Sequence, residues 1–568
     1  MRGIFLSRYR TQRRALFSLS LAFAPALLAQ PPQISGRSIL NAASYMQPGL
    51  PAGSIARGSL FSLFGARMGP AASPALAFPL LPNLGGVTIQ VVQGSTIVQA
   101  IPVFVSPTQL NAIMPSNAPL GAVSIYAFFN NAKSPPSPAR IVTDSFGIFT
   151  INGGGVGPGV LQNFVDATHL PVNLPSVAAQ PGQTMILYGT GLGAGLNPDN
   201  VAPQAGSLPT KVEVFVGGQV ATTTYTGRSP CCSGLDQIVF TVPSNAPPGC
   251  WVPVQIRTSG TTVSNTTTMA ISSNGSSCSD PLNPLTAPFL AGKRIGLVGL
   301  LRTDITEDVG LAKTGTVTTE ASMTTFQQEN PIPAAPFSAV LSLPPAGTCT
   351  AYTAAGDLLD GDAVPGADDP GVKFLDAGTA LTLSSSTDQR TIRRPTNKAR
   401  NYQPLGYTYT GSRRKPSLFL NAGSLTLAGP GGADVGSFTA PITLPNPAAL
   451  TWTNRATTLI VTRSQGLTVN WTGAPPDQPV VIFGGATDAP TNSSAVFACL
   501  APAGSASFTV PALALANFPA TRTNLLNSKG AIYVGALPTS NPVSFSASGI
   551  DNGAILPATF FGKTVIFQ

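Results

Sequence analysis

The chain has 568 residues, of which 43% are hydrophobic and 9% charged, and its 58 Gly and 55 Pro make up about a fifth of the total. A chain this apolar can bury real cores, which excludes wholesale disorder, and its length fits several domains. The shortage of charged residues excludes long helices rich in Glu and Lys, and the abundance of Gly and Pro is typical of turn-rich all-β proteins.

Residues 1–29 have the pattern of a secretory signal peptide. Five arginines precede an apolar run from Ala15 to Leu28, and Ala29 offers a small residue for cleavage before Gln30. The run is shorter than the roughly 20 residues that span a bilayer, which favours a cleaved signal over the alternative of an uncleaved anchor. Cleavage lowers the formal net charge from +9 to +4, because five Arg and no acid are removed. We expect a secreted, cell-surface or periplasmic protein without a transmembrane span or specific nucleic-acid recognition.

A seven-residue turn occurs twice in the first half of the chain. Residues 115–121 read Pro-Ser-Asn-Ala-Pro-Leu-Gly, and residues 243–249 read Pro-Ser-Asn-Ala-Pro-Pro-Gly, 128 positions later. Each copy lies between alternating apolar runs, which indicates one supersecondary unit used twice. Short strands with Gly and Pro turns predict tandem immunoglobulin-like β-sandwich domains, module 1 in residues 36–147 and module 2 in residues 148–272.

Several ordered motifs in these modules carry a family resemblance. They are Asn41–Tyr45, Gly58–Gly65, Ser106–Asn111, Phe146–Phe149, Pro181-Gly182, Tyr188–Gly193 and Asp236-Gln237. Together they resemble the Solibacter-type uncharacterised C-terminal domain of exported Acidobacteria proteins, which is similar to paired IPT/TIG immunoglobulin-like modules. The resemblance covers residues 36–272 and implies an exported β-sandwich protein. It implies no activity and supplies no catalytic residue, and this chain continues for almost 300 residues beyond it.

The rest of the chain is also predicted to be β-rich. Residues 273–288 contain many Ser, Asn and Pro and are typical of a linker. We expect a β-rich domain in residues 289–446 and a C-terminal β-sandwich domain in residues 447–568, with one helical turn near Leu513–Phe518. Whether these two stretches are separate domains is left open by the sequence.

Six cysteines in an exported chain predict disulfide bonds. They are Cys231, Cys232, Cys250, Cys278, Cys349 and Cys499. Four of them fall within residues 231–278, and four cysteines can pair in three ways. We favour Cys232–Cys250 with Cys231–Cys278. Cys349 and Cys499 then pair with each other or stay free.

Two features that could suggest catalysis have simpler interpretations. The glycine-rich run Gly189–Gly195 follows a strand, but no helical pattern follows it, so a sandwich corner is favoured over a dinucleotide loop. His169 is the single histidine and falls in the connector between the modules, which favours a surface loop over a catalytic base or a pH sensor. We therefore predict no catalytic residue, no enzyme activity and no cofactor.

Two polar segments in residues 289–446 are candidate binding sites. Asp357, Asp360 and Asp362 lie on a Gly- and Pro-rich loop and could hold Ca²⁺, with a solvated acidic loop as the alternative. Residues 390–415 contain many cations, no acid and interleaved tyrosines. The candidate binding residues there are Arg393, Arg394, Arg400, Tyr402, Tyr407, Tyr409, Arg413, Arg414 and Lys415. Guanidinium groups match carboxylate and sulfate geometry, which predicts an acidic polysaccharide or another cell-surface component as the partner, and an exposed, internally paired hairpin is the alternative.

These observations lead to three functional hypotheses. The first is an exported β-sandwich protein that acts as a binding, adhesion or cell-envelope scaffold module, with acidic polysaccharide as its ligand. The second is an extracellular polysaccharide-active hydrolase with its site in residues 283–568, and the third is a purely structural spacer. Fold class alone does not choose among them, because sandwiches host many functions.

Overall fold

The chain is built almost entirely of β-strands, as the sequence predicts, and its first half forms two tandem immunoglobulin-like sandwiches. The computed structural model describes residues 30–71, 77–307, 315–329, 337–338, 341–355, 372–394, 407–412, 418–444, 450–521, 528–538 and 542–568. Within these ranges no helix is both long enough and apolar enough to cross a membrane.

Module 1 is a sandwich whose two layers share one strand. Its strands are β1 (Gln33–Asn41), β2 (Ile55–Ala56), β3 (Leu60–Ala66), β4 (Val87–Gln93), β5 (Thr96–Val105), β6 (Gln109–Ile113), β7 (Gly121–Phe129), β8 (Ala132–Lys133) and β9 (Ser137–Val142). They pair in the order β1-β3-β6-β5-β4-β7-β9-β2, with β8 beside β7. Strand β5 pairs first with β4 and then, after a register shift near Pro102, with β6. Because side chains alternate along a strand, Val87, Ile89 and Val91 of β4 enter the core while Thr88 and Gln90 face outward.

Module 2 repeats the main path of this topology and adds two short strands. Its strands are β10 (Gly147–Ile148), β11 (Gly157–Pro158), β12 (Leu161–Asn163), β13 (Thr184–Thr190), β14 (Gly206–Ser207), β15 (Val212–Val216), β16 (Gln219–Arg228), β17 (Asp236–Thr241), β18 (Gly249–Thr258), β19 (Thr262–Val263) and β20 (Thr267–Ile271). They pair in the order β10-β13-β17-β16-β15-β18-β20-β11, and the two added strands are β12 beside β13 and β14 beside β16. The repeated turn closes identically in both copies, since Ala118 N donates to Pro115 O and Ala246 N donates to Pro243 O.

The remaining strands form a larger C-terminal half. They are β21 (Arg294–Glu307), β22 (Gly315–Glu329), β23 (Thr348–Ala355), β24 (Val372–Phe374), β25 (Ala380–Ser384), β26 (Gln389–Arg393), β27 (Tyr407–Ser412), β28 (Gly423–Gly429), β29 (Phe438–Leu444), β30 (Thr451–Trp452), β31 (Ile460–Val461), β32 (Leu467–Thr472), β33 (Val480–Asp488), β34 (Ser493–Ala501), β35 (Ser507–Val510), β36 (Ser528–Ala536), β37 (Val543–Phe545), β38 (Asn552–Thr564) and β39 (Ile566–Phe567). The described helices are α1 (Thr286–Leu290), α2 (Ala512–Leu515) and a 3-10 turn at Ala489–Thr491. Helix α2 falls where the sequence predicts a helical turn.

One 14-stranded sheet joins residues 289–446 to residues 447–568. Its main path runs β23-β34-β33-β36-β38-β21-β22-β27-β26-β25-β28-β29. Strand β23 therefore pairs with β34, and β21 pairs in parallel with β38 near the end of the chain. The boundary drawn at residue 446 from the sequence does not separate two sheets in the structure.

The sheet encloses two cores. One core gathers Phe326, Leu427, Phe438 and Phe545, because β29 lies against β37 and rolls this part of the sheet back on itself. The other gathers Trp452, Trp471, Phe497 and Phe518 around the disulfide-bonded Cys349–Cys499 pair, beneath the small sheet β30-β32-β35. Each core combines several large aromatic side chains with a majority of smaller apolar residues.

Module 2 is packed onto the C-terminal half through an apolar interface. Trp251 is 1% exposed and its ring lies 6.1 Å from that of Phe289, in a cluster that includes Phe337 and Tyr352. Residues 273–288, predicted as a linker, are tied into this interface by the Cys250–Cys278 disulfide and by the buried Asn283. Asn283 Nδ2 donates to Leu341 O at 2.7 Å. The described linker residues therefore connect two bodies that are in direct contact.

Candidate functional site

The motifs shared by the two modules meet at a buried polar joint between them. We call Asn41, Gly58, Thr190, Arg228 and Asp236 the module joint. Arg228 and Asp236 are 7% and 0% exposed and form an ion pair within module 2. The second guanidinium nitrogen, Arg228 Nη2, donates to Gly58 O of module 1 at 2.9 Å and to Gly193 O at 2.7 Å. The ion pair thus holds the two modules together.

The glycine-rich run of module 2 wraps the buried carboxylate. Asp236 Oδ2 accepts hydrogen bonds from the backbone N–H groups of Gly191 and Leu192 at 2.7 and 2.8 Å. Gly191 has a φ of +116°, a conformation that glycine adopts at little cost. Burial raises the pKa of Asp236, and the Arg228 charge and the two amides oppose that rise. The run is therefore a corner that binds the protein's own carboxylate, as the sequence analysis favours over a dinucleotide loop.

Hydroxyl and amide side chains complete the module joint. Thr190 Oγ1 accepts a hydrogen bond from Leu60 N at 2.8 Å and donates to Gly234 O at 2.6 Å. Asn41 Nδ2 donates to Ser145 O and Thr190 O, each at 3.2 Å. Buried polar groups that are fully hydrogen-bonded specify one arrangement of the parts they join. The residues of the module joint therefore have a structural role, because their hydrogen bonds are made within and between the two modules.

The first copy of the repeated turn also contacts module 2. Ser116 N and Ser116 Oγ both donate to the carboxylate of Asp199 at 2.7 Å. Gly195 N donates back to Ser116 Oγ at 3.2 Å. The turn that reveals the repeat in the sequence is therefore a second contact between the modules.

The basic segment is described in part. Strand β26 carries Arg390 and Arg393, and Arg394 follows it. Arg390 pairs with Asp388 at 2.6 Å and lies over the ring of Phe419, while Arg394 pairs with Asp376 at 3.0 Å. Arg393 is exposed. Two of the three arginines at this position are thus partly neutralised within the protein.

The other candidate binding residues lie on β27 or outside the described residues. Tyr407 and Tyr409 lie on β27, which pairs with β22 and, through Thr408 and Arg393, with β26. Five further basic or aromatic candidates lie outside the described residues: Arg400, Tyr402, Arg413, Arg414 and Lys415. The calcium candidates Asp357, Asp360 and Asp362 also lie outside them.

All six cysteines form disulfides, but the favoured connectivity is wrong. Cys231 pairs with its neighbour Cys232, Cys250 pairs with Cys278, and Cys349 pairs with Cys499. The reason is positional. Cys250 begins β18 at the interface onto which residues 273–288 fold, whereas Cys231 and Cys232 lie exposed on the loop between β16 and β17. Cys349 and Cys499 are directly opposite each other on β23 and β34.

His169 lies on an exposed turn. The carboxylate of Asp166 accepts hydrogen bonds from Thr168 N at 2.8 Å, from Thr168 Oγ1 at 2.7 Å and from His169 N at 2.9 Å. The Thr168 hydroxyl and the local amides lower the pKa of Asp166. This is an Asx-type turn between β12 and β13, within module 2 rather than in a connector between the modules, and its exposure agrees with the surface-loop interpretation.

Comparisons with known proteins add little to this geometry. No protein-family model matches the chain, and a search of curated proteins finds no match. Among solved structures, the chain is similar to SGBP-B from a xyloglucan utilization locus of Bacteroides uniformis, at 10% identity over 67% of this chain and 86% of that chain, with a TM-score of 0.16. It is also similar to domains 5–6 of the S-layer protein SbsC, at 10% identity over 42% of this chain and 98% of that chain, with a TM-score of 0.16.

A third likeness is to the plexin A4 extracellular region. Identity is 15% over 41% of this chain, the TM-score is 0.16, and the chain spans 17% of the plexin chain. At such TM-scores none of these likenesses bears on the ligand or activity of this protein.

Proposed function

We propose that the chain is an exported, non-catalytic protein that acts as a binding and scaffold module of the cell envelope, with an acidic polysaccharide as its ligand. The observation that carries the scaffold part is the module joint. A buried ion pair reaches from module 2 to Gly58 O of module 1, and a buried aromatic cluster attaches module 2 to the C-terminal half. Such contacts hold surfaces at fixed distances, which a scaffold requires.

Export is supported by the cysteines. The structure pairs all six, and disulfides persist in oxidising compartments outside the cytosol. The basic start of the sequence and its apolar run support the same proposal. The family resemblance of residues 36–272 also implies export and supports this proposal.

The first binding site we propose is the basic segment around β26. Arg393 is exposed at the end of this strand, and the sequence from 390 to 415 is rich in basic residues. Arg390 and Arg394 are held by Asp388 and Asp376, which fixes the local backbone that presents Arg393. A carboxylate-bearing polysaccharide would pair with the free guanidinium group.

Retention on immobilised polysaccharide tests this function. Residues 30–568, produced in an oxidising compartment, would be passed over polygalacturonate and over neutral dextran at low and high salt. We expect salt-sensitive retention on polygalacturonate alone, weakened in an Arg393→Glu/Arg394→Glu variant. Lys211→Glu, a charge reversal at an exposed position of module 2, is the matched control and should retain wild-type binding. Absence of retention on every acidic polysaccharide would leave the spacer as the surviving hypothesis.

A further inference from the structure

One face of module 1 carries aromatic, amide and cationic side chains in register. It is the outer side of the layer formed by β5, β4, β7 and β9, and we call it the outer face. The members used below are Gln90, Gln99, Tyr126, Phe128, Lys133 and Arg140. Their strand neighbours Ile89, Ala100, Ile125 and Ala127 are buried, so these six residues point away from the core.

The strand register brings these side chains together. Gln99 is opposite Gln90, and Gln90 is opposite Tyr126, which makes one row across three strands. Phe128 follows two positions later on β7 and is opposite Lys133 of β8. Neighbouring strands lie about 4.8 Å apart, and residues two positions apart on one strand lie about 6.8 Å apart. The outer face thus presents two ring systems beside two primary amides.

Lys133 lies over the two rings. Its ammonium nitrogen is 3.9 Å from the centroid of the Tyr126 ring and 5.7 Å from that of Phe128. Lys133 is exposed and both rings are half-buried. The stacked ring holds the ammonium group at a defined position above the sheet while leaving it accessible to an anion.

The charge of module 1 favours an anionic ligand. Residues 30–143 contain no Asp or Glu, and their five cations are Arg37, Arg57, Arg67, Lys133 and Arg140. Arg140 is exposed on β9 beside Ala122 of β7, on the same side of the layer as Tyr126. Clustered charge of one sign raises the local concentration of the opposite ion. This stretch of more than 110 residues carries no side-chain carboxylate that would repel an acidic polymer.

The equivalent face of module 2 makes contacts within the protein itself. There the register places Phe215 opposite Gln255, and Glu213 opposite Arg257. Gln255 is 7% exposed and its Nε2 donates to Leu513 O of the C-terminal half at 3.1 Å. Arg257 forms two bonds with Glu213, at 2.8 and 3.0 Å. In module 2 this face is therefore covered in part and its charges are paired, whereas module 1 keeps unpaired cations beside its rings.

We infer that the outer face of module 1 binds an acidic polysaccharide. Apolar parts of the sugar would contact the half-buried Tyr126 and Phe128 beside the ammonium group of Lys133, Gln90 and Gln99 would hydrogen-bond to hydroxyl groups, and Lys133 and Arg140 would pair with carboxylates. The inference rests on the proposed function, since it places a second, distinct site for the same ligand class in module 1, whereas the basic segment belongs to the C-terminal half.

Affinity measurements on the full chain test the assignment. Dissociation constants for soluble polygalacturonate would be measured at low salt, with neutral dextran as the second probe. We expect Tyr126→Ala/Phe128→Ala to weaken polygalacturonate binding by about tenfold or more, because two stacking surfaces are lost. Lys133→Gln should weaken binding less and reduce its salt dependence, because one charge contact is lost.

Control variants separate the site from general effects. Val220→Ser changes a 66% exposed apolar residue on the matching layer of module 2 and should leave binding unchanged. Gln90→Ala/Gln99→Ala removes only outward-facing amides and should weaken binding even if the aromatic variant fails to fold. Thermal melting of each variant checks that module 1 remains intact.

The outcomes distinguish the inference from the proposed function. If polygalacturonate binding survives loss of the rings and of the amides but is lost in Arg393→Glu/Arg394→Glu, the function stands and the outer-face site is overturned. If the wild-type chain binds no acidic polysaccharide, both fall. Equal binding of dextran and polygalacturonate would overturn the assignment of an anionic ligand.

Discussion

Arg228 and Asp236 form an ion pair that is shielded from water on the side of module 2 that faces module 1. The Arg228 guanidinium group also donates a hydrogen bond to Gly58 O across the module boundary. One side chain therefore satisfies the buried charge of its own module and a buried backbone carbonyl of the other. A Cβ on Gly58 would collide with Arg228, so the contact also requires a glycine at this position.

Removing the cation should loosen the module joint. In Arg228→Met, Asp236 keeps its burial and loses its partner, which typically costs about 3–5 kcal/mol. We expect a lower midpoint in urea unfolding and faster proteolysis between the modules. Arg257→Met, which breaks the exposed pair with Glu213, is the matched control and should change stability by about 1 kcal/mol or less. Equal effects of the two variants would show that the buried pair does not hold the modules.

The two disulfides of module 2 should differ in their contribution to stability. Cys250–Cys278 closes 28 residues and ties the linker to the interface, so Cys250→Ser/Cys278→Ser should cost about 2–4 kcal/mol. Cys231→Ser/Cys232→Ser removes a bond between neighbours, which restricts the unfolded chain little. The free energies of unfolding of the two variants, measured in urea, test this difference.

Peptide mapping checks the connectivity itself. After cleavage at Arg228 and Phe240, residues 229–240 should be released free and lighter by two hydrogens, while a peptide with Cys250 stays linked to one with Cys278. Release of residues 229–240 only after reduction would contradict the structure.

Asp280 should make stability depend on pH. Burial raises the pKa of its carboxyl to about 6, and the hydrogen bond from Thr286 opposes the rise. Because the folded state binds this proton more tightly than the unfolded state, the contribution is complete below about pH 4 and is lost as pH rises through 6. Wild-type stability relative to Asp280→Asn should fall by about 2 kcal/mol between pH 4 and 7.5. A constant difference between the two proteins across that range would contradict the assignment.

Glu320 should be essential for the rolled part of the large sheet. Its carboxylate is 0% exposed and accepts hydrogen bonds from Phe419 N and Leu420 N, both at 2.7 Å. Glu320→Ala leaves two buried N–H groups unpaired and should cost about 2–4 kcal/mol, with Glu320→Gln intermediate. Met323→Thr, at a 53% exposed position of the same strand, is the control and should be near neutral. Chemical unfolding followed by tryptophan fluorescence measures the differences.

Local patterns in the sequence predict the two modules well. The alternation Val87–Gln93 predicts β4, and the repeated turn predicts that module 2 copies module 1, because both signals come from contacts within a few residues. The C-terminal half is harder. Residues 294–307 pair with residues 552–564, and nothing within either segment specifies that partner.

Candidate sites were predicted less completely for the same reason. The absence of acids from residues 30–143 is readable in the sequence, but the row Gln99–Gln90–Tyr126 appears only once three strands are in register. The Arg390–Asp388 pair could be expected from spacing, whereas Arg394 finds Asp376 through the fold. The cysteine pairs depend on which segments the interface brings together, which spacing does not reveal.

The parallel pairing of β21 with β38 has a consequence for how the chain is made. The modules join residues close in sequence and can form as the chain emerges, whereas β21 must wait for a partner some 250 residues later. Until then its long edge is unpaired, and unpaired edges invite aggregation. We therefore expect truncations before residue 552 to be prone to aggregation and degradation even though both modules are present.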